Sequence, residues 1–112
     1  MTFAQLPTVT VDAVPADGLL LDVREHDEWA AGHAEGALHI PMGEVVQRFG
    51  EVTERVGDRK LYVLCKVGGR SAQVTAYLVQ QGMDAVNVDG GMLAWQAAGR
   101  PLTGTPEKPF VR

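Results

Sequence analysis

The sequence predicts an α/β fold, a central and mainly parallel β-sheet flanked by helices on both faces. Three observations lead there. Short apolar runs without polar–apolar alternation recur along the chain, which suits strands covered on both faces. Segments of helical periodicity lie between them, so strands and helices alternate. Finally, 112 residues with 46% hydrophobic and 21% charged side chains match one ordinary globular domain, large enough for a core without metal or disulfide staples. We therefore expect a single domain over residues 1–112.

In chain order, Leu19-Leu20-Leu21-Asp22-Val23 is the first strand, entered through the turn signal Asp17-Gly18. Asp27 to Ala31 follows as a short helix, with acidic Asp27 and Glu28 at its positive end and Gly32 as its stop. Met42 to Phe49 and Glu51 to Val56 read as two further helices separated by Gly50. Leu61-Tyr62-Val63-Leu64-Cys65 is the second strand, after the polar stretch Gly57-Asp58-Arg59-Lys60. Ser71 to Gln81 carries the clearest helical pattern. Val74, Tyr77 and Leu78 share one face, Gly82 stands where a left-handed C-terminal residue belongs, and Met83 is placed to fold back onto Leu78. Ala85-Val86-Asn87-Val88 is a third, weaker strand, and Met92 to Ala98 a last helix between Gly90-Gly91 and Gly99. The tail from Pro101 has three prolines and no periodicity, which predicts an irregular surface segment through residues 103–112.

Composition excludes several functions. Ten basic against fourteen acidic residues give a net charge of −4, which favours no nucleic-acid partner. The single cysteine, Cys65, allows no internal disulfide, CxxC pair or cysteine-based zinc cage. Met1 to Pro7 has no basic start followed by an apolar stretch, and the apolar runs fall far short of a membrane span. We expect a soluble, cytoplasmic protein. His33 and His39 lack a close metal spacing such as HExxH, so neither a metal nor a cofactor is implied. His33 is expected to fix the turn after Gly32, and Trp29 and Trp95 to serve packing.

Chemistry concentrates where Cys65 ends one strand and Ser71 opens the best helix. Between them the chain reads Lys66-Val67-Gly68-Gly69-Arg70. In open α/β sheets, ligands bind beyond the carboxyl ends of strands. Gly68 and Gly69 let successive amides turn inward as an anion-binding nest, and the helix adds its positive end. Lys66 and Arg70 supply two full charges. All of these favour thiolate over thiol and attract an anionic substrate. A cysteine ending an apolar strand is ordinarily an inert core residue. A buried inert thiol, however, has no use for two glycines, two cations and a helix start within seven positions.

These residues resemble a known family. Cys65-Lys66-Val67-Gly68-Gly69-Arg70 is similar to the Cys-x-x-Gly-x-Arg active-site loop of rhodanese domains. Leu21-Asp22-Val23-Arg24 with Glu28-Trp29 and Gly32-His33 resembles the family's first signature. Gly36-Ala37-Leu38-His39-Ile40-Pro41 is similar to its GAxxIP segment, and Gly90-Gly91 with Trp95, Gly99 and Pro101 to its C-terminal signature. The likeness runs in order over residues 19–102. It implies a thiosulfate sulfurtransferase that needs no cofactor. Cys65 would carry a persulfide, and the backbone from Lys66 through Val67, Gly68 and Gly69 to Arg70 would hold its outer sulfur. Lys66 and Arg70 would orient a small anionic donor, and a cyanide or thiol acceptor, a protein thiol included, would remove the sulfur.

Asp22 and Arg24 end the neighbouring strand and border this loop. A mainly structural salt bridge is expected of them. Ser71 either caps the helix, bonds the sulfur-bearing loop, or does both. Two rival functions remain. Cysteine phosphatases and arsenate reductases carry Cys-x5-Arg, one residue longer than the spacing from Cys65 to Arg70, and usually histidine where Leu64 stands. A sulfur-carrier or docking module would share the loop but show little free turnover.

Overall fold

Leucine- and valine-rich segments extend side by side in the middle of a five-stranded sheet in the computed structural model, which describes residues 6–112. The three expected strands are β2 (Leu19–Asp22), β4 (Leu61–Leu64) and β5 (Ala85–Val88). Two strands of two residues each, β1 (Thr8–Val9) and β3 (Leu38–His39), form the edges. The order is β1-β5-β4-β2-β3 and every pairing is parallel. Leu19 pairs with Leu61, Asp22 with Leu64, and Val63 with Asn87.

Two cores explain the lack of alternation. Leu19, Leu21, Val23, Leu61, Val63, Cys65 and Ala85 pack on one sheet face, with Val52 and Val56 of α2 (Phe49–Val56) and Val74 and Leu78 of α3 (Gly69–Gln80). Leu20, Leu64 and Val88 pack on the other, with Met92 and Trp95 of α4 (Gly91–Ala97). Each central strand thus buries both its faces, as parallel strands do.

The helix boundaries correct several expectations. α1 spans His26–Ala31, one residue earlier than its acidic start suggests, because the Glu25 amide donates to Glu28 Oε1 at 3.0 Å and closes the first turn. Met42 to Phe49 is not a helix. Only Met42–Glu44 forms a 3₁₀ turn, and Arg48, with φ −102° and ψ 20°, precedes α2. Its guanidinium bonds Glu44 at 3.0 Å and Glu51 at 2.7 Å, tying the turn to the helix. Gly50 does not separate two helices but sits in the exposed first turn of α2, where a glycine costs at most about 1 kcal/mol.

α3 begins two residues before Ser71, because Gly68 takes the left-handed φ of 113° that turns the chain into the helix. Its C-terminus follows expectation. The Gly82 amide bonds the Val79 carbonyl at 2.9 Å and that of Met83 the Leu78 carbonyl at 3.0 Å, the paired bonds of a Schellman motif. The tail beyond Pro101 is irregular but anchored. His33 and Thr103 exchange backbone bonds of 2.8 Å, and Thr105 and Phe110 donate to the Ala30 and Ala31 carbonyls, which α1 cannot satisfy itself. Among the described residues, no helix is long and apolar enough to cross a membrane. The Met1–Pro7 reading falls largely outside the described residues.

Candidate active site

Connections leave β2 towards β3 on one side and β4 towards β5 on the other. The carboxyl ends of β2 and β4 therefore flank a topological switch point, where open α/β sheets bind ligands. The loop from Cys65 to Gly68 follows β4, and Val23 to Glu25 follow β2. The start of α4 holds the first loop down. Met92 and Leu93 donate their amides to the Cys65 and Lys66 carbonyls at 2.8 and 3.0 Å. With those carbonyls turned towards α4, trans peptide geometry turns the following amides the other way. Gly91 permits this approach, since a Cβ there would collide with the Cys65 carbonyl.

Cys65 is 1% exposed. The Gly68 amide donates to its Sγ at 3.0 Å, and the Ser71 hydroxyl lies 3.3 Å from it. Burial pushes the thiol up. Hydrogen bonding from the Ser71 hydroxyl and from the amides of Ser71, Gly68 and Val67 outweighs burial and holds it below the ordinary cysteine value. Amides and a hydroxyl thus lead in holding the thiolate, and Arg70 adds an electrostatic attraction, which in turn raises Arg70 itself.

The remaining loop residues divide. Lys66 is half-buried, Val67 and Gly69 are exposed, and Gly68 is buried. Arg70 is not a free cation. Its Nη1 and Nη2 bond both Glu28 carboxylate oxygens, at 2.7 and 3.0 Å. The Arg70 hydrogen bonds, set against partial burial, hold Glu28 at about 2. Glu28 in turn raises Arg70 further above its ordinary value.

Asp22 and Arg24 do form the expected ion pair, at 2.8 Å and fully buried. It secures α1 more than the Cys65 loop, because Arg24 also donates to the Gly32 carbonyl at 2.8 Å and the Glu28 carbonyl at 3.4 Å. Ser71 does not cap α3, whose N-cap is Gly68; it is the third helical residue and faces the sulfur. His33 Nδ1 meets the Trp29 carbonyl at 2.6 Å, and the Trp29 ring stacks between His33 and His39 at 3.5 and 4.5 Å.

Two participants escaped the sequence reading. In the sequence Glu28 reads as a helix-start acid; in the structure it is the partner of Arg70. Asn87, 6% exposed in β5, accepts from Ser71 Oγ at 2.6 Å and donates to the Gly68 carbonyl at 3.2 Å. An asparagine inside an apolar strand was the available signal.

Comparison with known proteins agrees with this fold and identifies its family. The family model for the rhodanese-like domain matches residues 9–98. A sulfurtransferase of Allochromatium vinosum is 40% identical over 87 residues, 77% of this chain and 78% of its own length. A Bacillus subtilis protein named as a sulfur carrier is 35% identical over 99 residues, covering 82% of this chain and 52% of its own. The crystal structure of a rhodanese-like domain protein from Staphylococcus aureus superposes with a TM-score of 0.71 at 33% identity, over 80% of this chain and 91% of that one. The chain belongs to the rhodanese-like domain family. A sulfurtransferase kind of activity is what its relatives support.

Proposed function

We propose that this protein is a sulfurtransferase that moves sulfane sulfur from thiosulfate, or a related anionic donor, to a thiol or cyanide through a persulfide on Cys65. The observation that carries it is one thiol, held below its ordinary ionisation by the Gly68 amide and Ser71 hydroxyl, at the start of a twelve-residue helix. The Cys65 thiolate attacks the outer sulfur of thiosulfate; the S–S bond of the donor breaks, sulfite leaves with the electron pair, and the negative charge passes to the outer persulfide sulfur. Cyanide or an acceptor thiolate then takes that sulfur and returns Cys65 as thiolate. No second cysteine is required. Lys66 attracts the donor, the loop amides from Val67 to Arg70 receive the outer sulfur, and the Glu28–Arg70 pair fixes the helix start. Asp22 and Arg24 act structurally, by seating α1.

The burial of Cys65 demands that transfer be tested under native conditions. Intact-protein mass spectrometry after thiosulfate treatment should show a gain of one sulfur, removed by cyanide. Cys65→Ser should fold normally and take up none, because a serine hydroxyl is a far poorer nucleophile near neutral pH. No adduct on the wild-type chain, or an adduct on the serine variant, overturns the proposal. The sulfur-carrier alternative draws support from the relative of that name and from exposed apolar Val67 and Leu93, 57% and 39% accessible. A persulfide stable to small thiols but discharged by one protein thiol would favour it.

A further inference from the structure

Asn87 lies beneath the Cys65 loop with both ends of its carboxamide engaged. It sits in register with Val63, its Nδ2 donating to the Gly68 carbonyl and its Oδ1 facing Ser71 Oγ. The opposite amide orientation would set Oδ1 against the Gly68 carbonyl, so the network itself fixes this one. Ser71 then has a single proton and two acceptors, Asn87 Oδ1 at 2.6 Å and Cys65 Sγ at 3.3 Å. While Cys65 is a neutral thiol, Ser71 donates to Asn87 and accepts from the S–H. Once Cys65 ionises, the sulfur has no proton to give and becomes the charged acceptor, to which the hydroxyl turns. Asn87 Oδ1 is then left buried and unpartnered, which opposes ionisation.

We propose that Asn87 is a positioning residue that acts on Cys65 through Ser71, by offering the serine proton a competing acceptor whenever Sγ carries no charge. The proposal deepens the sulfurtransferase reading and rests on it for its consequence. In the persulfide the charge sits on the outer sulfur and Sγ is uncharged, so the Ser71 proton returns to Asn87. Asn87 therefore stabilises the sulfur-loaded form relative to the free thiolate. Its Nδ2 and the Ala72 amide together hold the Gly68 carbonyl, at 3.2 and 3.1 Å, so the Gly69 amide, antiparallel to it across the trans peptide, faces outward to the donor.

Other charges near the sulfur stay constant in the test. They are Lys66 in the loop, Arg70 of α3 with its Glu28 from α1 and the neighbouring Glu25, and the paired Asp22 and Arg24 at the end of β2; β5 and α4 contain no charged side chain, and Asp89 between them is exposed. The measurement is the ultraviolet thiolate absorbance against pH, with Cys65→Ser as blank; one cysteine makes the signal single-site. Asn87→Leu, of similar volume, should move the ionisation to lower pH, raising the thiolate fraction below the midpoint on the order of threefold to tenfold. In a Ser71→Ala background the same change should move it hardly at all. Asn87→Val, suited to a strand, carries the same expectation if the leucine variant does not fold. A shift to higher pH, or equal shifts with and without Ser71, would mean that Asn87 merely braces the loop and overturns the proposal. At a fixed ratio of thiosulfate to sulfite, Asn87→Leu should also hold less persulfide than the wild type. If the wild-type chain takes up no sulfur, the sulfurtransferase reading fails, and the absorbance titration still decides whether Asn87 competes for the serine proton.

Discussion

Lys66 and Arg70 carry the same formal charge four positions apart, yet the fold gives them different work. Arg70 is bound to both oxygens of Glu28 and is geometrically fixed. Lys66 is half-buried, and among the described residues it makes no ion pair, so it remains a mobile point charge. Lys66→Ala should accordingly raise the KM for thiosulfate about threefold to tenfold and leave kcat within about twofold, as expected when a half-buried, unpaired cation attracts a dianion. An uncharged sulfur donor should be turned over unchanged. Equal losses with charged and uncharged donors would show instead that Lys66 shapes the loop. The cysteine and its glycine-rich loop were legible in the sequence because their chemistry is contiguous. Glu28 stands 42 residues from Arg70 and Asn87 16 from Ser71, and only the pairing of β2, β4 and β5 brings them together.

Among the secondary elements, α1 depends on an unusual support, the fully buried pair of Asp22 and Arg24 at the end of β2. Removing one member leaves the other as an uncompensated buried charge. Asp22→Ala should therefore destabilise the fold by about 3–5 kcal/mol, read as a lower urea midpoint at unchanged slope. A loss below about 1 kcal/mol would mean that Arg24 finds other partners or reaches water. The same ranking of local against long-range determinants explains which elements could be foreseen. The central strands announced themselves because burial on two faces demands unbroken apolar runs, and α3 because its stop requires a glycine at Gly82. The edge strands β1 and β3, with two residues each, are too short to carry a pattern, and their pairing is set by their neighbours. Residues 42–49 have helical spacing, but Arg48 leaves the helical dihedrals, and the amides of Val45, Phe49 and Glu51 bond carbonyls three residues back, so the segment closes as linked turns.

Across the whole molecule, the Glu28–Arg70 pair is the ion pair that joins α1 to α3 over the candidate site, and it makes stability depend on pH. Glu28 is held at about 2 in the folded chain, against 4.5 for an ordinary glutamate. A carboxyl depressed by folding contributes stability that is fully present above its unfolded value and is lost as pH falls through the folded one. The window is therefore from about 4.5 down to about 2. At neutral pH, Glu28→Gln should lower stability by about 1.5–3 kcal/mol, the range for hydrogen bonds to charged groups. The gap between wild type and variant should then close progressively as the acid is titrated, because the protonated wild-type side chain and the glutamine are both neutral. Urea unfolding at a series of pH values from 7 to 2 measures it directly. Exposed Glu51 is also lowered, by its bonds to Arg48, but it is common to both proteins and cancels in the difference. A gap that stays constant down to pH 2 would show that glutamine disturbs the packing of α1 and that the ion pair itself contributes little.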